Sequence, residues 1–368
     1  MSLNIVGSGL MFKNARPHVR SLHAYFPSVV RFADGEMMGA VRLGQAMQAH
    51  DLLTYIMRSQ DSGASWTLEA PICAEATPTP TTDSARLALT DDGEIVAFMI
   101  RQHRQRLDEG LNNPATGGYV EQDLMIARSS DRGRTWSAPK VFQAPLVGPC
   151  FEMCSPITIL RSGTWLLTTS TWQDWDGNCP NGIRTLALVS RDRGETWPQY
   201  VNTMVNLEDE ITYWESKLIE LRDGRLLSVA WAYDRKHKCD LPNHYVISAD
   251  GGKTFSRPKS MGLLGQTLTP LELSDGRLLF VYRRMDQPGL WAVASRREGD
   301  RWIHGEHLAL WGAAAGGLTA TTANMADNFA RLRFGAPCLV DMGDGTVHVS
   351  FWATEDCVTV ARWIKLGV

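Results

Sequence analysis

The chain has no long apolar run and no excess of either charge. Its 368 residues carry 37 Lys and Arg against 40 Asp and Glu, a formal net charge of -3. No segment approaches the roughly 20 apolar residues of a membrane span. We therefore expect neither nucleic-acid nor membrane partners. The N-terminus lacks a basic-then-apolar secretion pattern, which predicts a cytoplasmic protein, or a periplasmic or secreted one if a leader has been removed.

Paired cysteines and several well-known catalytic motifs are also missing. The seven cysteines are odd in number and show no paired metal-ligand spacing, which favours free thiols over disulfides or a zinc site. The chain contains no phosphate-binding glycine loop and no Ser-His-Asp elbow. We predict no cofactor and no metal.

What the chain does have is an eight-residue phrase, Ser-x-Asp-x-Gly-x-Ser/Thr-Trp/Phe, that occurs four times. An apolar alternating run precedes each copy, so each is predicted to be a hairpin turn whose Asp accepts backbone hydrogen bonds. The copies are Ser59 to Trp66, Ser129 to Trp136, Ser190 to Trp197 and Ser248 to Phe255. Such recurrence is typical of a repeat architecture.

A second unit, an apolar run that ends in an Asp-Gly or Ser-Gly turn, appears six times. The turns are Asp34-Gly35, Asp92-Gly93, Ser162-Gly163, Asp223-Gly224, Asp275-Gly276 and Asp344-Gly345. With the strands that follow, each unit supplies four short strands. The sequence therefore predicts an all-β, six-bladed β-propeller as one domain over residues 1–368. We expect Asn4 to Lys13 to close the ring by pairing with the last unit.

The eight-residue phrase resembles the Asp box, and six units in this register are similar to the sialidase (neuraminidase) superfamily, also called the bacterial neuraminidase repeat family. The resemblance covers essentially the whole chain. It implies a sialidase-like propeller with four-stranded blades and an active site at the mouth opposite the Asp boxes. It also implies a carbohydrate ligand, although a fold alone does not settle an activity.

Carried over residue by residue, the resemblance gives some of the catalytic groups of a sialidase. Such an enzyme needs three arginines, a Tyr nucleophile assisted by a Glu, and an Asp acid. The segment Tyr213 to Leu221 resembles the family segment that holds the Glu, which implies that role for Glu215. Asp51, beside His50, is the counterpart of the acid.

Other catalytic positions of the family hold different residues here. The first family Arg falls on Tyr25, and a later one falls on Trp231. The nucleophilic Tyr falls near Gly335-Ala336. These departures argue against true sialidase activity.

Acidic residues predicted near the same mouth suggest a different glycosidase chemistry. Most glycoside hydrolases use a carboxyl pair, one protonated and one ionised. The candidates are Glu215, Glu152, Asp83 and Asp51. Related arabinan-cleaving propellers use two glutamates from neighbouring blades, which favours Glu152 with Glu215. The structural alternative is a strand-end ion pair of Glu215 with Lys217 or a nearby Arg, with solvated acids elsewhere.

Cationic and aromatic residues predicted at the mouth would suit an acidic sugar, because guanidinium groups hold carboxylates and aromatic rings stack on sugar faces. The predicted substrate-binding residues are Arg42, Arg101, His103, Trp172, Trp231, Arg283 and Trp352. For the arginines and His103 the alternative is a polar surface loop. For the tryptophans it is packing between blades.

These observations predict a sialidase-like, exo-acting glycoside hydrolase that uses mouth carboxylates on an acidic or deoxy sugar. Two alternatives stay open. A lyase would use Tyr25 with His50 or His103 as its acid–base pair. A non-catalytic carbohydrate-binding propeller would keep the fold without the chemistry. The sequence leaves the oligomeric state undetermined.

Overall fold

The computed structural model describes residues 2–73, 77–148, 150–206, 210–314 and 331–368. These residues form six antiparallel sheets, arranged as the blades of a propeller ring. The all-β, six-bladed prediction is thereby confirmed. Within these ranges no helix has the length and apolar character needed to span a membrane.

The strands follow the repeat units along the chain. The first strand, β1 (Asn4–Phe12), belongs to the last blade. Blades 1 to 3 contain β2 (His23–Arg31), β3 (Met37–Gly44), β4 (Leu53–Ser59), β5 (Thr67–Pro71), β6 (Thr81–Leu89), β7 (Ile95–His103), β8 (Gln122–Ser129), β9 (Lys140–Phe142), β10 (Cys150–Phe151), β11 (Thr158–Ile159), β12 (Trp165–Trp172), β13 (Thr185–Ser190) and β14 (Gln199–Met204).

Blades 4 to 6 continue in the same order. They contain β15 (Ile211–Glu220), β16 (Leu226–Asp234), β17 (Cys239–Ser248), β18 (Lys259–Ser260), β19 (Gly265–Glu272), β20 (Leu278–Arg284), β21 (Leu290–Glu298), β22 (Arg301–Trp311), β23 (Phe334–Asp341), β24 (Thr346–Glu355) and β25 (Val358–Gly367). In the last blade β1 pairs antiparallel with β25, from Asn4 opposite Gly367 to Phe12 opposite Ala361.

Blade 3 departs from four regular strands. Its innermost strand is split into β10 and β11, and both pieces pair with β12. Pro156 lies between the two pieces, and proline has no N–H with which to continue a ladder. The break places the segment around Glu152 outside regular strand geometry.

The core lies between the blades and along their inner strands. All eight residues of β3 are buried, as expected for a strand covered on both faces. Between blades 2 and 3, Phe98 and Ile126 pack against Leu167 and Trp197. These apolar layers fix the blades rigidly around the central channel.

The four eight-residue turns are held by their aspartates. Asp61 accepts hydrogen bonds from Ser59 Oγ at 2.8 Å, from Ser65 N at 2.8 Å and from Ser65 Oγ at 2.6 Å. The bond from the Ser65 hydroxyl is the largest cause that lowers the pKa of Asp61 to about 2. The equivalent aspartates are Asp131, Asp192 and Asp250. All four are turn staples, as the phrase predicts.

The residue after each turn aspartate has a left-handed backbone, with φ of 57° at Ser62 and 73° at Gly251. We expect Ser62→Gly to raise the free energy of unfolding by up to about 1 kcal/mol, because a side chain in this conformation is strained. The reverse change, Gly251→Ser, should lower it by a similar amount. A Cβ at Gly251 would meet no atom within 4 Å, so only backbone strain is added. Urea unfolding of both variants tests this prediction. A change of the same sign in the free energy of unfolding of both variants would contradict it.

Candidate active site

Four innermost strands carry a β-bulge where they reach the channel. Strand pairing shifts between Tyr25 and Ser28, between Trp214 and Lys217, between Gln266 and Thr269, and between Gly335 and Cys338. Each bulge contains a residue other than glycine with a positive φ, namely Phe26, Glu215, Thr267 and Ala336, with φ from 50° to 55°. All four line one cavity. The bulges therefore re-aim inner-strand residues towards the propeller axis.

The cavity has a volume of about 190 Å³. Its charged lining residues are Arg42, Arg86, Glu152, Glu215, Lys217 and Arg283. Its aromatic lining residues are Phe26, Tyr119, Trp172, Trp214 and Trp352. Charged groups thus converge inside a partly apolar pocket, the usual composition of a small-molecule site.

Two glutamates from neighbouring blades meet in this cavity. Glu152 Oε2 accepts a hydrogen bond from the Glu215 backbone N–H at 3.0 Å. Glu215 Oε2 accepts one from the Thr267 backbone N–H at 2.6 Å. Burial raises the pKa of Glu152, and the charge of Glu215 raises it further. A raised pKa suits Glu152 to the role of a proton donor.

Three buried arginines line the cavity, and their hydrogen-bond acceptors within the described residues are all uncharged. Arg42 donates to Gln102 Oε1 at 3.0 Å, and burial lowers the pKa of Arg42 to about 10. Arg86 donates to the Phe26 carbonyl at 2.9 Å. Arg283 donates to the Phe334 carbonyl at 2.8 Å and to Gln266 Oε1.

Lys217 is the fourth cationic residue of the lining. Burial lowers the pKa of Lys217, and the positive charge of Arg86 lowers it further. The charges of Cys154, Glu215 and Glu152 raise it. Among the described residues Glu215 forms no ion pair within 4.0 Å with Lys217 or with an arginine, so the structural alternative raised for Glu215 is not observed there. The thiol of Cys154 is held neutral, since burial raises its pKa well above the ordinary value.

The structure brings together six of the residues singled out from the sequence. They are Glu152, Glu215, Arg42, Arg283, Trp172 and Trp352. Seven others are not among the lining residues, namely Tyr25, His50, Asp51, Asp83, Arg101, His103 and Trp231. Strand alternation explains part of this difference, because neighbouring residues of a strand point to opposite faces. Gln102 faces the cavity, so Arg101 and His103 face away from it.

The same alternation places Asp83 outside the cavity, since Ser84 and Arg86 line it. The Asp83 carboxylate is buried and accepts a hydrogen bond from Thr54 N at 2.8 Å. Burial raises the pKa of Asp83. Its position next to Arg42 suits a supporting role rather than contact with a ligand.

Two predicted aromatic residues support the lining from behind. Tyr25 is buried against Trp352, with ring centroids 5.6 Å apart. Trp231 packs on Trp214 with centroids 4.4 Å apart. Its Nε1 donates to Asp240 Oδ1 at 2.7 Å.

Three predicted polar residues lie outside the lining. His50 and Asp51 are exposed on the loop after β3, where Asp51 Oδ1 accepts from Gln45 N at 3.0 Å. His103 Nε2 lies 3.0 Å from Asp123 Oδ2. Because Tyr25, His50 and His103 all lie outside the lining, the structure gives no support to the acid–base pair suggested for a lyase.

The loop between β7 and β8 forms one side of the mouth. Arg104 is buried and donates to the Gln48 carbonyl of blade 1 at 2.8 Å. Asn113 Nδ2 donates to the Trp175 carbonyl of blade 3 at 2.8 Å, and Trp172 Nε1 donates to the Gly117 carbonyl at 3.0 Å. The loop is thus anchored on both sides and presents Tyr119 to the cavity.

Sequence reasoning missed several lining residues, among them Arg86, Gln102, Tyr119 and Trp214. It considered one mouth position on each innermost strand, whereas β6 contributes both Ser84 and Arg86. The signal was available, because residues two apart on a strand share a face. For Tyr119, inside a long loop, the sequence offers no periodicity that assigns a direction.

Comparison with known proteins defines the fold but not the activity. No protein-family model matches the chain, and no curated protein matches it. A protein of unknown function from Dyadobacter fermentans DSM 18053 is 21% identical, with a TM-score of 0.76 over 100% of this chain and 99% of that one.

Two solved sialidase structures resemble the chain at lower identity. The intramolecular trans-sialidase from Ruminococcus gnavus is 12% identical, with a TM-score of 0.65 over 94% of both chains. The NanB sialidase from Streptococcus pneumoniae is also 12% identical, with a TM-score of 0.69 over 98% of this chain and 70% of that one. The chain is accordingly a six-bladed β-propeller of the sialidase-like fold.

Proposed function

We propose that this protein is an exo-acting glycoside hydrolase for an acidic sugar, with Glu152 as the proton donor and Glu215 as the nucleophile or base. The observation that supports the proposal best is the pair of glutamates in one cavity, joined by the hydrogen bond from Glu215 N to Glu152 Oε2 at 3.0 Å. A protonated and an ionised carboxyl group on one substrate are what glycoside cleavage requires.

The two glutamates take different roles because their surroundings differ. Glu152 keeps its proton to higher pH, since burial and the charge of Glu215 both raise its pKa. It can therefore protonate the glycosidic oxygen as the leaving group departs. Glu215, oriented by the Thr267 N–H, then attacks the anomeric carbon or removes a proton from the attacking water.

The size of the cavity favours action on a terminal sugar. Its volume of about 190 Å³ is below the range of about 300–1,000 Å³ that is usual for drug-sized ligands. It matches a single sugar ring better than an oligosaccharide. Trp172, Trp214 and Trp352 in the lining provide faces on which the apolar side of such a ring can stack.

The charges of the lining favour an acidic sugar. Arg42, Arg86, Lys217 and Arg283 outnumber the two glutamates, and guanidinium groups are well shaped to hold a carboxylate. Two structural neighbours were solved in complex with ligands that carry an anionic group, oseltamivir carboxylate for the Ruminococcus gnavus protein and a substituted ethanesulfonate for NanB. These ligands favour an anionic group on the ligand of this propeller.

The direct test is hydrolysis of a panel of chromogenic glycosides that includes a glucuronide, a sialoside, an arabinoside, a rhamnoside and a neutral glucoside. We expect turnover of an acidic glycoside and none of the glucoside. Release of an unsaturated, ultraviolet-absorbing sugar would instead identify a lyase. No hydrolysis of any glycoside in the panel, together with binding of acidic sugars, would identify a non-catalytic propeller. Either of these two results would overturn the hydrolase proposal.

The role of Glu152 predicts a dependence on the leaving group. Glu152→Gln should lower kcat by about 10²-fold or more for an alkyl glycoside, but by less than about 10-fold for a nitrophenyl glycoside, whose leaving group needs no proton. A proton donor must be protonated, so the wild-type rate should fall as pH rises through the raised pKa of Glu152. The variant should lack this alkaline limb in a pH profile.

Glu306→Gln, at an exposed position on β22, is the matched control and should retain both the rate and the alkaline limb. Equal losses for both leaving groups in Glu152→Gln would remove the proton-donor role.

A further inference from the structure

Lys217 places an amine among the lining residues of the cavity. It lies on β15 two residues after Glu215 and is half-buried. Cys154, Arg86, Glu215 and Glu152 all act electrostatically on its charge, and all four line the same cavity. The amino end of the Lys217 side chain therefore lies among these lining residues rather than outside the propeller.

This amine has no bonded partner in the part of the chain that the structure describes. Lys217 Nζ donates no hydrogen bond there, and no carboxylate oxygen of those residues lies within 4.0 Å of it. On the surface, by contrast, Lys140 pairs with Glu195 at 2.7 Å and Lys259 pairs with Asp300 at 2.5 Å. The amine of Lys217 is therefore available to a ligand of the cavity.

The surroundings of Lys217 favour the uncharged amine more than those of a surface lysine do. Burial is the largest cause that lowers the pKa of Lys217, and the neighbouring charge of Arg86 lowers it further. A lowered pKa increases the fraction of neutral amine at neutral pH. A desolvated lysine beside another cationic group is the kind of amine that attacks carbonyl groups.

Arg86 offers a place for a carboxylate near this amine. It is 8% exposed, and its Nη1 donates to the carbonyls of Phe26 at 2.9 Å and Ala85 at 3.5 Å. Its other N–H groups donate to none of the described residues. Glu215 acts on Arg86 electrostatically, but no carboxylate of those residues lies within 4.0 Å of the guanidinium. Guanidinium groups are well shaped to hold a carboxylate.

We propose that the cavity also binds small 2-oxo acids covalently, as an imine between the carbonyl carbon of the ligand and Lys217 Nζ. Arg86 holds the carboxylate of the ligand, which brings the neighbouring carbonyl group to the amine. The cavity volume of about 190 Å³ suits a ligand of this size. The site goes beyond the proposed hydrolysis, because it acts on a carbonyl group and not on a glycosidic bond.

Imine formation releases one water and needs neither an oxidant nor a reductant. The Nζ lone pair forms a bond to the carbonyl carbon, and a proton passes from nitrogen to the carbonyl oxygen, which gives a carbinolamine. The C–O bond then breaks as Glu152 donates a proton to the departing hydroxyl group. The nitrogen lone pair forms the C=N bond, which leaves a cationic iminium beside an ionised Glu152. The raised pKa of Glu152 suits this proton transfer.

Reductive trapping tests the proposal without any glycoside. Protein incubated with pyruvate and cyanoborohydride at neutral pH should gain one carboxyethyl group on Lys217, which mass spectrometry of its peptides detects. We expect Lys217 to react at least about 10-fold faster than any other lysine of the chain. Lactate, which has the carboxylate but no carbonyl group, should add nothing. Labelling of Lys217 no faster than that of exposed lysines would overturn the proposal.

Two variants of lysine residues check the assignment to Lys217. Lys217→Arg keeps the positive charge but has no amine that can form an imine, so the rapid labelling should disappear. Lys253→Arg, at an exposed position, is the matched control and should leave the labelling of Lys217 unchanged. Rapid labelling that persists in Lys217→Arg would place the reactive group elsewhere and overturn the proposal.

A neutral carbonyl compound tests the part played by Arg86. Arg86→Gln should slow the trapping of pyruvate by about 10-fold but that of acetone by less than about 2-fold, because acetone has no carboxylate. The retained reaction with acetone also shows that the variant is folded. Equal slowing of both probes would overturn 2-oxo acids as the ligand class of this site.

The result is separable from that of the hydrolase proposal. Selective labelling of Lys217 in a protein that cleaves no glycoside would leave this inference standing. Glycoside turnover by a protein in which Lys217 is not selectively labelled would overturn this inference alone.

Discussion

Replacing Glu215 with glutamine is expected to lower kcat/KM for the best acidic glycoside by about 10³-fold or more, a loss of about 4 kcal/mol of transition-state stabilisation. The reason is that an amide can neither attack the anomeric carbon nor remove a proton from water. KM should change much less, because the cationic residues that hold the sugar remain. Steady-state kinetics with a nitrophenyl glycoside measure both quantities.

Glutamine is a conservative test at this position. Glu215 Oε2 accepts a hydrogen bond from Thr267 N, and the amide oxygen of glutamine can accept the same bond, so the bulged strand should keep its shape. Glu220→Gln is the matched control on the same strand. The Glu220 carboxylate pairs with Arg161 at 3.2 Å, outside the cavity lining, and its loss should leave kcat/KM within about twofold.

A loss smaller than about 10-fold in Glu215→Gln would show that Glu215 is not the reacting carboxylate. Lys217 would then be the next group to test, because it lies in the same cavity and its pKa is lowered by burial. If substitution of Glu215 and substitution of Lys217 both left the rate unchanged, the reacting groups would have to come from another part of the propeller.

The fold could be predicted from the sequence because each blade has a local sequence pattern of its own. A turn such as Asp223-Gly224 between two apolar runs predicts a hairpin without any knowledge of distant residues. Six such units and four copies of the eight-residue phrase leave few other architectures. The split inner strand of blade 3 was not predicted, although Pro156 gives a reason for it.

The candidate site was predicted only in part, because it depends on which way each inner-strand side chain points. Arg42, Glu215 and Arg283 were found from their distance to the turn glycines. Arg86 was missed. Its strand has no bulge, and assigning one mouth position to each blade selected Asp83 on this strand instead. A shift of one residue exchanges the two faces of a strand, and a β-bulge makes such a shift without a clear mark in the sequence.

The largest effect on stability is expected at His348, where blade 6 meets blade 1. This side chain is 1% exposed and lies between Trp66 and Trp363, at 5.9 and 6.0 Å between ring centroids. Burial lowers its pKa to about 4. Between pH 6.5 and pH 4, protonation of His348 in the unfolded chain should lower the free energy of unfolding of the wild type by up to about 3 kcal/mol. We expect His348→Leu to be free of this loss.

The sign follows from proton binding. In the unfolded chain the imidazole titrates near pH 6.5, whereas in the folded protein it stays neutral down to about pH 4. The unfolded state therefore binds more protons in this window, so the contribution of His348 is fully present above pH 6.5 and is lost as pH falls through it. The turn aspartate Asp61, with a pKa of about 2, acts mainly at lower pH.

The groups around His348 do not supply a counter-charge. Lys365 is the nearby charged residue and further disfavours protonation, while it pairs with Asp344 at 3.1 Å. A hydrogen bond to the Gly63 backbone raises the pKa of His348. The Gly63 carbonyl, however, already accepts a hydrogen bond from Trp66 Nε1 at 2.9 Å. Burial therefore decides the direction of the shift.

Urea unfolding of the wild type and His348→Leu from pH 7.5 to pH 4 isolates this contribution, since all other titrating groups cancel in the difference. The variant should lose less stability on acidification, and His50→Leu, at an exposed position, should follow the wild type. Parallel curves for His348→Leu and the wild type would mean that His348 titrates alike in both states. The junction where the propeller ring closes would then not be the acid-sensitive point of the fold.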